Sequence, residues 1–172
     1  MRTGMRLLTL TVAAAVFVIG GVVGFQLLTA GTEPVADAAP TCKNEVITAG
    51  NPIDSNVVTV NVFNASSRSG LANRALIDLQ ANGFLGGQIG NSTSATQPRR
   101  VAILTDDPED PRVKLVAAQF RDKVEYAPAD LQVEDGIVVV VGDDYRGLKK
   151  DIVTTITTDR DIPVCVPVIP DA

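Results

Sequence analysis

Cys42 and Cys165 are the only cysteines in the chain, and their chemistry is the easiest to bound. Two thiols are too few for a zinc or iron–sulfur centre. They are not spaced as Cys-x-x-Cys, the usual form of a redox pair. They can close one disulfide, which would tie the start of the folded part to its end. On the chain-entropy model, a bridge across a loop of roughly 100 residues stabilises a fold by about 4 to 5 kcal/mol. An intermolecular bridge or a pair of free thiols is the alternative.

Two further groups could bind something. Asn64, Ser66, Arg68, Ser69 and Gly70 form a polar cluster (Asn-Ala-Ser-Ser-Arg-Ser-Gly) ahead of an apolar-periodic segment. Free backbone N–H groups at a helix N-terminus can hold a phosphate or carboxylate, and Arg68 would add charge. A turn with Ser69 as N-cap accounts for the same residues. Arg99-Arg100 is a small basic patch, or simply a solvated pair at a strand start. The acids Asp106, Asp107, Glu109 and Asp110 lack the alternating Asp-x-Asp-x-Asp-Gly pattern of a calcium loop, so they read as charges favoured at a helix N-terminus.

Catalytic chemistry has little to stand on. The sequence contains no histidine, which excludes a Ser-His-Asp triad and His metal ligands, and no tryptophan. Aromatics make up 4%, too few to suggest stacking platforms for single-stranded nucleic acid or sugars. No nucleophile has a base beside it, no Gly-rich phosphate loop carries a Lys, and no carboxylate pair is placed. The expectation is a protein that is not an enzyme and takes no cofactor or metal. Asn64-Ala-Ser66 and Asn91-Ser-Thr93 fit the N-glycosylation sequon by chance.

Residues 7–30 contain no charged residue, and most are Leu, Val, Ala, Ile, Phe and Gly. About 20 such residues cross a bilayer as a helix. Arg2 and Arg6 precede the run and Glu33 and Asp37 follow it, so the positive-inside rule keeps residues 1–6 cytoplasmic and exports the rest. The competing reading is a signal peptide cleaved near Ala36-Asp37-Ala38. Gly20 and Gly24 have the G-x-x-x-G spacing that lets two helices pair into a homodimer, although the same glycines serve as filler. All 20 acidic residues lie beyond residue 30, where 13 basic ones give a net charge of −7. Bulk charge therefore does not draw this body to nucleic acid. In an exported domain disulfides persist, which favours the Cys42–Cys165 bridge.

The elements that position these groups follow from periodicity. Residues 31–56, rich in Ala, Pro, Thr and Gly, read as a linker ordered only near Cys42. Val57–Phe63 is a strand, residues 70–81 a helix with Leu71, Ala75, Leu76 and Leu79 on one face, and Phe84–Ile89 a strand. Arg100–Leu104 is a strand, Pro111–Phe120 a helix, Lys123–Tyr126 a short strand, and Ile137–Val141 a central strand buried on both faces. Residues 148–156 suggest a short helix, and the Pro-rich tail around Cys165 reads as extended and irregular. The order β-α-β-β-α-β-β predicts an α/β (α+β) sandwich: one mixed sheet with two to three packed helices over residues 57–172.

The run Val58-Thr-Val-Asn-Val-Phe-Asn64-Ala-Ser, then Gly70-Leu-Ala72, Leu79, Gly83-Phe84 and Gly90-Asn91, resembles the LytR C-terminal domain family. The strand ending in Gly142-Asp-Asp-Tyr145 is similar to that family's final strand. Ala65 stands where the family often has Gly. The family usually follows a LytR–CpsA–Psr catalytic domain, for which 172 residues leave no room. An anchor followed by this domain alone looks like actinobacterial envelope integrity proteins of the Cei type. The resemblance implies a cell-membrane protein with an extracytoplasmic domain that supports envelope integrity through a cell-wall polymer or envelope-assembly proteins. An enzyme acting on envelope glycans through Asp/Glu residues, or a partner protein working through the membrane helix, are the alternatives.

Overall fold

The computed structural model of the chain describes residues 14–26 and 42–167. Two units separate, residues 1–40 and 41–172. In the first, residues 14–26 are helical, and their large apolar side chains, Phe17 and Phe25 among them, are exposed. Among the described residues no helix is long and apolar enough to cross a membrane. The predicted span 7–30 runs beyond these residues at both ends.

The second unit is built on five strands: β3 (Thr59–Asn64), β4 (Leu85–Asn91), β5 (Val101–Leu104), β6 (Glu125–Ala127) and β7 (Ile137–Val141). They lie in the order β4-β3-β7-β5-β6. β3 is parallel to both β4 and β7, β5 is antiparallel to β7, and β6 is parallel to β5. The sheet is mixed, as expected, and β7 is its β-branched centre with residues 138–141 buried. Between the strands run α1 (Leu71–Ala81) and α2 (Pro111–Ala117), reproducing β-α-β-β-α-β-β.

Strand alternation gives the sheet two faces. Val60, Val62, Val101, Ile103, Val139 and Val141 pack with Leu71, Ala75, Leu76 and Leu79 of α1 and Val113 and Val116 of α2. On the other face, Leu104, Val138 and Val140 are covered by Leu131 and Val133 with Phe63 and Ala127. A loop, not a helix, closes that face. It is held by Asp130, whose carboxylate accepts from the Ser94 hydroxyl at 3.0 Å and the Ala95 amide at 2.8 Å. The buried Asn61 donates to the Asp135 carbonyl at 2.7 Å.

Three expectations are corrected. The linker 31–56 contains structure: β1 (Cys42–Ile47), β2 (Pro52–Asp54) and a 3-10 turn at Ser55–Val57. The helix expected over 148–156 does not form. The β-branched Thr155–Thr157 is instead β8, paired with β2 so that Ile156 faces the buried Ile53. The tail is not irregular: Ile162–Pro167 is β9, antiparallel to β1 over six residue pairs. Pro163 and Pro167 are tolerated because this ribbon is two-stranded and each strand keeps one open side. Asn44 faces Cys165, which is disulfide-bonded. The side chain of Cys42 lies outside the described residues.

Candidate functional site

The strand directions bring the predicted site residues to one end of the sheet. There β3 and β7 finish and β5 begins, so Asn64–Gly70, Arg99-Arg100 and the turn Gly142–Tyr145 converge. The main chain knits them together. The Ala65 amide donates to the Val141 carbonyl at 2.9 Å, Gly142 to Arg100 at 2.8 Å and Asp144 to Arg99 at 2.8 Å. Gly142 is required by this crossing, because a Cβ there would lie 1.9 Å from the Pro98 carbonyl oxygen.

The loop from Asn64 to Gly70 is built around two acceptors. Asn64 Oδ1 accepts from the Ser66 amide at 3.0 Å and the Ser66 hydroxyl at 2.7 Å, while Asn64 Nδ2 donates to the Arg68 carbonyl at 2.9 Å. This is an Asx turn closed on itself. Asp143 Oδ1 accepts from the Ser67 amide at 2.9 Å and the Ser67 hydroxyl at 2.8 Å. These two bonds hold the Asp143 carboxyl below its ordinary pKa, with a smaller contribution from the charge of Arg68. An outside anion at the Ser67 amide would therefore have to displace a carboxylate the chain already supplies. Ser69 is not the cap: Gly70 holds that position at φ 73°, with no side-chain hydrogen bond. A helix start in left-handed backbone suits glycine alone among common residues.

Arg99 and Arg100 go to different carboxylates. Arg99 meets Asp144 at 2.8 Å, both exposed. Arg100 meets Asp122 at 3.2 Å, and Arg146 stands 4.0 Å from the same oxygen. The Asp122 side chain is only 7% exposed, and its Oδ2 has no hydrogen-bond partner. The Tyr145 hydroxyl is also buried without one. Burial drives the Tyr145 pKa up, helped by Asp78 and Asp122, so the phenol stays neutral. An unpaired buried polar atom costs about 1–3 kcal/mol.

Sequence reasoning missed Asp143, Asp122 and the lysines around them. The Asp-Asp pair after β7 was visible only as part of a family-like strand end. Asp122 carried no local signal, because its partners are 22 and 24 residues away. Among the described residues no cluster of three metal-ligating side chains forms. The acids before α2 serve the helix: Asp110 Oδ1 caps it through the Arg112 amide at 2.7 Å. Burial raises the Asp110 pKa, but the Arg112 side-chain and amide hydrogen bonds outweigh this and leave it lowered.

No curated protein matches the chain. One similar solved structure is the soluble domain (residues 71–217) of a conserved hypothetical secreted protein, an Rv2700 ortholog, from Mycobacterium marinum. The two share 21% identity over 61% of this chain and 70% of that one, with a TM-score of 0.43. Residues 57–145 match the family model LytR_C, described as LytR cell envelope-related transcriptional attenuator. That stretch runs from the turn before β3 to the Tyr145 turn, and by it the chain belongs to the LytR_C family.

Proposed function

We propose that this protein is a non-catalytic binding or scaffolding module, held outside the membrane by residues 7–30, that supports the bacterial cell envelope in the manner of Cei-type proteins. The observation that carries the reading is the family match over the whole β3–β7 sheet, since the family's description is envelope-related. The uncharged apolar run flanked by Arg2 and Arg6 supports anchoring with the N-terminus inside. The groups at the convergent end are bound to one another as ties, Asn64 to Ser66, Ser67 to Asp143 and Arg99 to Asp144, which suits a rigid recognition surface. A Cys42–Cys165 bridge would fasten the domain's first and last strands, and Gly20 and Gly24 could bring two anchors together.

Complementation tests this. In cells lacking the protein, envelope leakiness is measured after returning the full chain, a chain with residues 1–40 replaced by an unrelated anchor, and a chain lacking 57–172. The full and anchor-swapped chains should restore the barrier and the truncated one should not. Rescue by the truncated chain would instead assign the function to the membrane helix.

A further inference from the structure

Two hollows run together along the β5–β6 side of the convergent end. One, of about 730 Å³, is lined by Arg99, Arg100, Lys123, Val124, Glu125 and Tyr126. The other, of about 370 Å³, is lined in part by Arg121, Asp122, Lys123, Tyr126 and Lys149. They share Lys123, Val124 and Tyr126, so they form one open trough.

Five cations line this trough with Asp122 and Glu125; Arg99 and Arg100 are paired with Asp144 and Asp122, which leaves Arg121, Lys123 and Lys149 in excess. Beyond residue 30, the rest of the chain carries eight basic and 18 acidic residues. The charge is therefore concentrated here, against the sign of the body. Arg121, Lys123 and Lys149 have no carboxylate within 4.0 Å among the described residues. Lys123 and Lys149 are exposed, and Tyr126, 46% exposed, lines both hollows. The walls are fixed by backbone bonds: Lys149 N–H to the Gln119 carbonyl at 2.7 Å, Arg121 N–H to Gly147 at 3.4 Å, and a bridge from Phe120 to Leu148. Arg121 Nε also donates to the Leu148 carbonyl at 2.7 Å, which aims its guanidinium.

We propose that this trough binds an extended, soluble anionic polymer, a chain with repeating phosphate or carboxylate groups. The proposal deepens the binding-module reading and rests on it. Fixed cations spaced along a concave wall suit charges repeated along a chain, and focusing between low-dielectric walls raises the local concentration of such a ligand. Tyr126 offers a flat apolar face for the uncharged parts of the repeat. A lipid surface fits less well, because the acidic remainder of the domain would be repelled by an anionic membrane pressed against a concave site.

The test uses the full chain in neutral detergent, titrated with inorganic polyphosphate, polygalacturonate and anionic phospholipid vesicles at low salt. The expected result is binding to at least one of the two polymers, weakening steeply with salt, with amide shifts confined to residues 99–100, 121–126 and 146–149. Lys123→Glu with Lys149→Glu should weaken it at least tenfold. Lys43→Glu with Arg74→Glu, an equal change in net charge elsewhere, should leave it within twofold. If the double reversal fails to fold, the wild-type shift map still decides. Three results would overturn the proposal: no polymer binding at millimolar charge, equal loss in both double variants, or binding to vesicles alone. The binding-module reading fails separately, when the chain lacking residues 57–172 restores the envelope barrier.

Discussion

The Asp143 carboxylate takes two hydrogen bonds from Ser67 and lies within reach of the Arg68 charge, so its ionised form is the bound one. Its folded pKa is depressed. The tie is therefore complete above the ordinary carboxylate pKa of about 3.9 and is lost as pH falls through the lower folded value. Asp143→Asn at neutral pH should release the loop locally, raising the exchange rate of the Ser67 amide while the sheet core stays protected. Acidifying the wild type through the lowered folded value should likewise reduce the Ser67 protection factor, taken against the intrinsic exchange rate at each pH, and unchanged protection in either experiment would show that the loop does not depend on this carboxylate. Gly142 answers to sterics instead. Its missing Cβ is what lets β7 turn against Pro98 and Arg99, and the obstructing atoms are all backbone, so no rotamer change relieves them. Gly142→Ala should cost about 3 kcal/mol, the upper end for overpacking, read as a drop in the urea midpoint.

Asn61 does for the sheet what Asp143 does for the loop. In β4 the pairing slips between Val60 and Val62, leaving an extra residue there. Asn61 Oδ1 accepts from the displaced Gln88 amide at 2.7 Å while its Nδ2 holds the Asp135 carbonyl of the covering loop. Gly87 sits against that side chain, where a Cβ would come within 2.2 Å of Asn61 Oδ1. Asn61→Ala strands two polar groups beside a position only 1% exposed and should cost about 2–3 kcal/mol by urea unfolding. Residues 57–145 were legible because their signals are local: the period-3.6 face of α1, the Ile137–Val141 run and the acids before Pro111. Asn61 and Gly86-Gly87 fell inside predicted strands and carried no sign of the bulge, because the bulge that explains them joins two strands. Residues 148–156 misled for the opposite reason. Their local pattern allows a helix, but the β-branched threonines of β8 are claimed by β2, about 100 residues away. The candidate site was legible as pieces, Asn64–Gly70 and Arg99-Arg100, and not as one place, since only the parallel β3–β7 and antiparallel β7–β5 pairings bring them to the same end.

At the scale of the whole domain, the family match ends before the fold does. Ile53 of β2 and Ile162 and Val164 of β9 are all buried in the same core cluster as α1 and α2, yet all lie outside residues 57–145. Burying one Val or Ile side chain contributes about 1.5–3 kcal/mol. Three of them therefore supply roughly 5–9 kcal/mol, an upper figure because unfolded chains already bury some of this surface. Domains of this size are stable by only about 5–15 kcal/mol. The flanking ribbons thus hold a share of stability comparable to the whole margin. A fragment limited to residues 57–145 should be unfolded or molten, with collapsed amide dispersion in its NMR spectrum, whereas residues 41–172 should fold. Cys165→Ser or reduction should be milder. A Cys42–Cys165 bridge would be worth about 4 to 5 kcal/mol on the chain-entropy model, and its loss would leave all six β1–β9 residue pairs and the burial of Ile162 and Val164. Urea midpoints should therefore rank oxidised 41–172 above reduced 41–172 and both above 57–145. A 57–145 fragment as stable as the reduced longer chain would show that the ribbons decorate the sheet and do not complete its core.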